Sequence, residues 1–167
     1  MIRLLARVSD GVNRATELAL VPIMAFLTGL LIISVFSRYA FQLPIVHAIE
    51  LTRIAFVWAC FLGVAAGVKR GVHVRVVALV ILLPAQLRSL TIYLVHGSFL
   101  AFASLMIWHG AKLTIQMSVT SFPTLGISQS WLFLALPATG ALIAIHALSG
   151  LLSRTPVELD PPEEVTT

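Results

Sequence analysis

Charge and cysteine are both scarce in this chain. Of its 167 residues only 11% are Asp, Glu, Lys or Arg, and 59% are hydrophobic, whereas soluble domains carry about a quarter charged residues. That shortage excludes an ordinary water-soluble domain and points to an integral membrane protein. The one cysteine, Cys60, excludes an internal disulfide. Inside an apolar run it reads as a small packing residue. Also missing are a glycine-rich phosphate loop, a nucleophile with its base, and a Cys/His cluster of metal-ligand spacing. The chain reads as no enzyme and as holding no cofactor or metal. It has no visible direct or inverted repeat, a feature expected of many carriers.

The formal charge of +4 does not mark a nucleic-acid partner, because the basic residues bracket apolar runs instead of forming one patch. They report topology. Arg3, Arg7, Arg14, Lys69, Arg70, Arg75, Arg88 and Arg154 fall on one side of the expected spans, and Arg38, Arg53 and Lys112 on the other. The positive-inside rule then places both termini and the 69–88 loop in the cytoplasm.

The expected architecture is an all-α integral membrane protein with four transmembrane helices, over about 18–40, 45–68, 88–111 and 130–152, together forming a membrane domain over 18–154. Leu18 to Ser37 is too long for a signal-peptide core, no small-x-small cleavage site follows it, and it reads as a retained span. Residues 1–17 carry Leu4, Leu5, Val8 and Val12 at helical spacing, which predicts an amphipathic cytoplasmic segment lying on the membrane before the chain turns in. Pro44 ends the first hairpin. Val76 to Leu83 is apolar but too short to cross, so a short interfacial helix is expected between the second and third spans. Pro137 predicts a kink in the fourth span, and the acidic, proline-containing 155–167 segment reads as a disordered cytoplasmic tail.

Glu50 is the acidic residue set within an apolar segment, with Arg53 three places on and on a neighbouring position of one helical face. A charge inside a span costs about 2.5–3.5 kcal/mol at the helix centre, so this pair needs an interface or a partner. An ion pair that fixes packing or contacts another subunit is the favoured reading. A lone membrane carboxylate suggests a different function, a small multidrug/proton antiporter dimer. Against it, a carboxylate beside a guanidinium stays charged and does not suit proton exchange. Ala59, Gly63 and Gly67 form a small-residue stripe on another face of the same helix, suited to close helix approach. The histidines raise a membrane cytochrome, but His96 and His109 lie about 140° apart on one helix. His96 with His146 is the one pairing left for a bis-histidine haem.

The order Arg38-Tyr39, a proline, Glu50-Leu51-x-Arg53, Val57-Trp58, Phe61-Leu62-Gly63 and Lys69-Arg70-Gly71-x-His73 resembles the small membrane subunit (DctQ type) of tripartite ATP-independent periplasmic (TRAP) transporters. The Leu83–Arg88 segment and the Ser121, Pro123, Trp131 stretch fit the same family. Val46-His47 and Val77 stand where the family often has an aromatic and an Asp. The resemblance implies a non-catalytic scaffold in the bacterial inner membrane. Its partners would be a large permease subunit, which would hold the substrate and sodium sites, a periplasmic substrate-binding protein, and phospholipid. The substrate would be an organic acid. Candidate subunit-interface or packing residues are Arg38, Glu50, Arg53, Trp58, Gly63 and Gly67. Lys69, Arg70, His73 and Arg75 are candidates for contact with lipid phosphates or a partner's carboxylates on the cytoplasmic side.

Overall fold

The computed structural model describes residues 2–69 and 85–153, with side chains over 7–69 and 93–152. Five α-helices account for most of it: α1 (Ile2–Ala40), α2 (Ala48–Lys69), α3 (Ala85–Gln116), α4 (Ser130–Phe133) and α5 (Ala135–Ser153). Four stretches are long and apolar enough to cross a membrane: Arg7–Ala40, Ala48–Lys69, Tyr93–Val119 and Ser130–Leu152. Their number is the four expected, with the first starting earlier and the third ending later than the expected bounds. The expected interfacial helix at Val76 to Leu83 and the 155–167 tail lie outside the described residues.

The first helix departs from expectation. Residues 2–17 do not turn before the first span; they run into it as one helix of 39 residues, about 58 Å long at 1.5 Å per residue. Gly11 is the lone glycine in that segment, and Pro22 is accommodated within the helix, as transmembrane helices allow. A narrow seam of Ser9, Thr16 and Leu27 is buried, while Leu18, Val21, Ile32 and Phe36 are exposed. Gln42, at φ 54°, takes the left-handed conformation that ends this helix, and the Ser37 carbonyl accepts from Phe41 and Leu43. Pro44 follows, as is common just after a helix end.

The tightest packing is between α3 and α5. A Cβ at Gly110 would lie 2.8 Å from Cδ of Pro137 and 2.9 Å from its backbone nitrogen. One at Gly140 would lie 3.0 Å from the Ala103 carbonyl. The ring of His96 rests directly on Gly150. These small residues let the two backbones approach closely. Ala65 of α2, Ala103 of α3 and Ile143 of α5 form the fully buried centre, and α5 also packs on α1. Of the small-residue stripe of α2, Ala59 is buried, whereas nothing lies within 4 Å of a Cβ at Gly63. The α2 packing face is Ala48, Ala59, Leu62, Ala65 and Ala66.

The fourth span is interrupted at Leu134, between α4 and α5. Pro137 has no N–H to offer the carbonyl four residues earlier, so the helix is broken one turn before it. The interruption falls one turn before the proline from which a kink is expected.

Candidate functional site

The structure concentrates its irregular backbone at the end of the bundle where α2 begins. After α3 comes a 3-10 turn, Met117–Val119, then a compact loop closed by an isolated bridge between Ser121 and Ser128. Within it the Phe122 N–H donates to the Ile127 carbonyl at 2.8 Å, and the Gly126 N–H donates to the Phe122 carbonyl at 2.9 Å. Gly126 has φ +70°, a conformation glycine adopts without the Cβ penalty. Ser128 ties the loop's two ends. Its hydroxyl donates to the Ser118 carbonyl at 3.0 Å and accepts from the Ser130 N–H at 3.1 Å, and Phe122 is buried beneath.

This turn points two consecutive backbone N–H groups at Glu50. The Thr124 N–H reaches Oε1 at 3.1 Å and Oε2 at 3.2 Å, and the Leu125 N–H reaches Oε2 at 2.8 Å. Paired amides of this kind form an anion-binding concavity, and Glu50, from the first turn of α2, fills it. Just over two turns further on, the Trp58 indole N–H donates to the Trp131 carbonyl at 2.9 Å, joining α2 to α4. Lys112 stands 5.6 Å from the centre of the Trp108 ring, a cation–π distance, near the same end of the bundle.

Glu50 and Arg53 therefore do not form the ion pair expected from their spacing. The carboxylate is taken by loop amides, and Arg53 is exposed with no ion-pair partner among the described residues. Trp58 is half-buried and points inward; Arg38 and Gly63 are not drawn into this site, and Gly67 is half-buried. No residue pattern announces the other half of the latch, because backbone N–H donors belong to every residue type. The turn signals Pro123 and Gly126 are its one trace in the sequence.

The opposite end has its own joint. Nζ of Lys69, the last residue of α2, lies 2.9 Å from Oδ1 of Asp10 on α1. Ser9 and His146 are both buried, and Oγ of the first lies 2.9 Å from Nδ1 of the second. Lys69 is thus engaged within the chain, while Arg70, His73 and Arg75 lie outside the described residues. His146 sits against α1 and His96 against Gly150; among the described residues no group of three His, Cys, Asp or Glu side chains could hold a metal ion.

The fold and its latch define a multi-pass helical membrane protein with four candidate spans and an ordered loop tied back to the second of them. Comparison with known proteins places it further. The family model for the DctQ component of tripartite ATP-independent periplasmic transporters matches residues 5–156, and the chain belongs to that family. It is 27% identical over 142 residues to the sialic acid TRAP transporter small permease protein SiaQ of Vibrio cholerae serotype O1, covering 85% of this chain and 82% of the relative. It is 32% identical over 110 residues to the C4-dicarboxylate TRAP transporter small permease protein DctQ of the same species, covering 62% of this chain and 47% of the relative. A third relative, the sialic acid TRAP transporter permease protein SiaT of Haemophilus influenzae, is 30% identical over 115 residues. That match covers 69% of this chain but 19% of the relative.

Proposed function

We propose that this chain is a non-catalytic scaffold for the large permease of a TRAP transporter in the bacterial inner membrane. The complex takes up an organic acid, delivered by a periplasmic binding protein and driven by a sodium gradient whose sites lie on the large permease. Both termini face the cytoplasm and the Glu50 end faces the periplasm. The observation that carries this reading is the latch. Glu50 is the one acidic residue of the second, third and fourth spans, and three short contacts to the loop commit it to holding structure. A carboxylate so occupied is unsuited to exchanging protons for a cation, which weighs against a stand-alone antiporter. The sialic acid and dicarboxylate relatives favour a carboxylate as the substrate class.

The test is reconstitution. The chain alone and the complete three-component system are placed in separate liposomes, and uptake of the cognate acid is followed under a sodium gradient. Uptake requires all components on this reading, and uptake by the chain alone would refute it. Orientation is checked separately on a Cys60-free background. A cysteine at Ser121 should react with an impermeant reagent from the periplasm, and one at Thr167 should react only after the membrane is opened.

A further inference from the structure

One face of α2 is covered by nothing among the described residues. At about 100° per residue, Ile49, Arg53, Phe56, Cys60 and Gly63 fall within a single stripe. Ile49 is 78% and Phe56 57% exposed, Arg53 and Cys60 are exposed, and the space beside Gly63 is open. The helix's opposite face is the buried one.

Two features of this stripe ask for an occupant, and they are separate in kind. The first is a charge. Arg53 lies in the second turn of a candidate membrane span, and a guanidinium there is best held where an acceptor meets it. The neighbour best placed to do so, Glu50, is consumed by Thr124 and Leu125. The second is a shape. Below the bulk of Phe56 the surface steps down to Cys60 and Gly63, a recess into which a crossing helix can set a side chain and bring its backbone close. Charge and recess stand about 15 Å apart along one rigid helix. A rigid partner with matching features satisfies both at once.

A second copy of this chain does not fit. A two-fold axis normal to the membrane sets identical residues at equal depth, so it would bring Arg53 towards Arg53, with Glu50 already engaged. The partner is therefore a different membrane protein with an acidic group at that depth. We infer that the Ile49–Gly63 stripe of α2 seats a transmembrane helix of the large permease, and that a carboxylate of that helix accepts from Arg53. This rests on the function proposed above. The SiaT relative agrees with it, since the segment similar to this chain is 19% of one longer permease protein. The candidate interface residues thereby divide: Glu50 and Trp58 hold the subunit's own fold, and Arg53 and Gly63 face its partner.

The experiment uses the chain co-expressed with its large permease. A photoreactive benzoylphenylalanine replaces Ile49 or Phe56 on the stripe, or Leu18 or Val21 on the exposed face of α1, and membranes are irradiated. Adducts to the permease are expected from the two α2 positions. Arg53→Glu should lower the permease recovered with the chain by about tenfold or more, and Arg53→Lys by no more than about twofold, since a lysine keeps the charge. Permease that co-purifies but cross-links from α1 alone would overturn this surface and leave the scaffold reading standing. So would adducts from Phe56 only to lipid or to a second copy. Failure of the unaltered chain to co-purify with the permease would sink the scaffold reading itself. The cross-links are read on Arg53-containing chains, so poor folding of Arg53→Glu does not decide the outcome.

Discussion

The carboxylate of Glu50 accepts the backbone N–H of Leu125 at 2.8 Å, across 75 positions of sequence. Through this contact the first turn of α2 holds the loop between α3 and α4 in place. The loop has few other ties to the rest of the bundle beyond the buried Phe122 and the Trp58–Trp131 bond.

Replacing Glu50 should therefore loosen the loop before it loosens the helices. In Glu50→Ala, hydrogen exchange at Thr124 and Leu125 is expected to rise by about tenfold or more, with little change across α3 and α5. Mass spectrometry of peptides spanning 117–129 measures it. Equal acceleration in the Gly110 and Gly140 peptides would mean that Glu50 supports the whole bundle.

Glu50 and Arg53 should also act independently. Their single alanine variants are each expected to reduce permease recovery, Arg53→Ala directly and Glu50→Ala through the loop. The double variant's loss should be close to the product of the two, as for sites without a shared interaction. A double variant less impaired than either single would restore the ion pair that the structure does not contain.

The glycines make a graded series. Gly110→Ala sets a Cβ against the backbone and ring of Pro137, and Gly140→Ala sets one against the Ala103 carbonyl. Each should destabilise by about 1–3 kcal/mol, the usual penalty of overpacking. Gly63→Ala meets open space and should stay within about 0.5 kcal/mol in the isolated subunit. Chemical unfolding in one detergent compares all three, and a Gly63 effect as large as that of Gly110 would contradict the packing described.

The two contacts at the Lys69 end should differ in weight. Ser9→Ala leaves Nδ1 of His146 unpaired in a buried site and should cost about 1–3 kcal/mol. Asp10→Asn removes an ion pair whose acidic side chain is 68% exposed, and it should cost less than about 1 kcal/mol and vanish in high salt. The same unfolding assay, run at two ionic strengths, separates them.

The sequence carried the spans clearly, because uncharged runs of membrane length have few other readings. It also carried the break at Leu134 through Pro137, and the family through the ordered motif from Arg38 to His73. It did not carry which small residues meet. Ala59-Gly63-Gly67 and Gly110, Gly140 and Gly150 look equally fit for close packing as text, and the second set was chosen by which helices the loops bring together. Nor did it carry the partner of Glu50. Arg53 is the obvious neighbour by helical spacing, whereas the actual donors are main-chain groups that no side-chain pattern can flag. The contact of Ser9 with His146 spans 137 positions and is likewise invisible before the helices are assembled. The unbroken α1 was missed for another reason: polar and apolar residues over 2–17 fit a surface helix and a straight extension equally well.

The position of α5 in the bundle bears on how the subunit is made. This helix touches α1, α2 and α3, supplies Ile143 to the centre and carries Gly140 and Gly150 of the closest seam. It is also the last of the spans to leave the ribosome. Ahead of it, α1 packs broadly on α2, and the Glu50 latch ties α2 to the loop that follows α3. A chain cut before Ala135 would keep the α1–α2 contact and lose the one helix that packs on all three of the others.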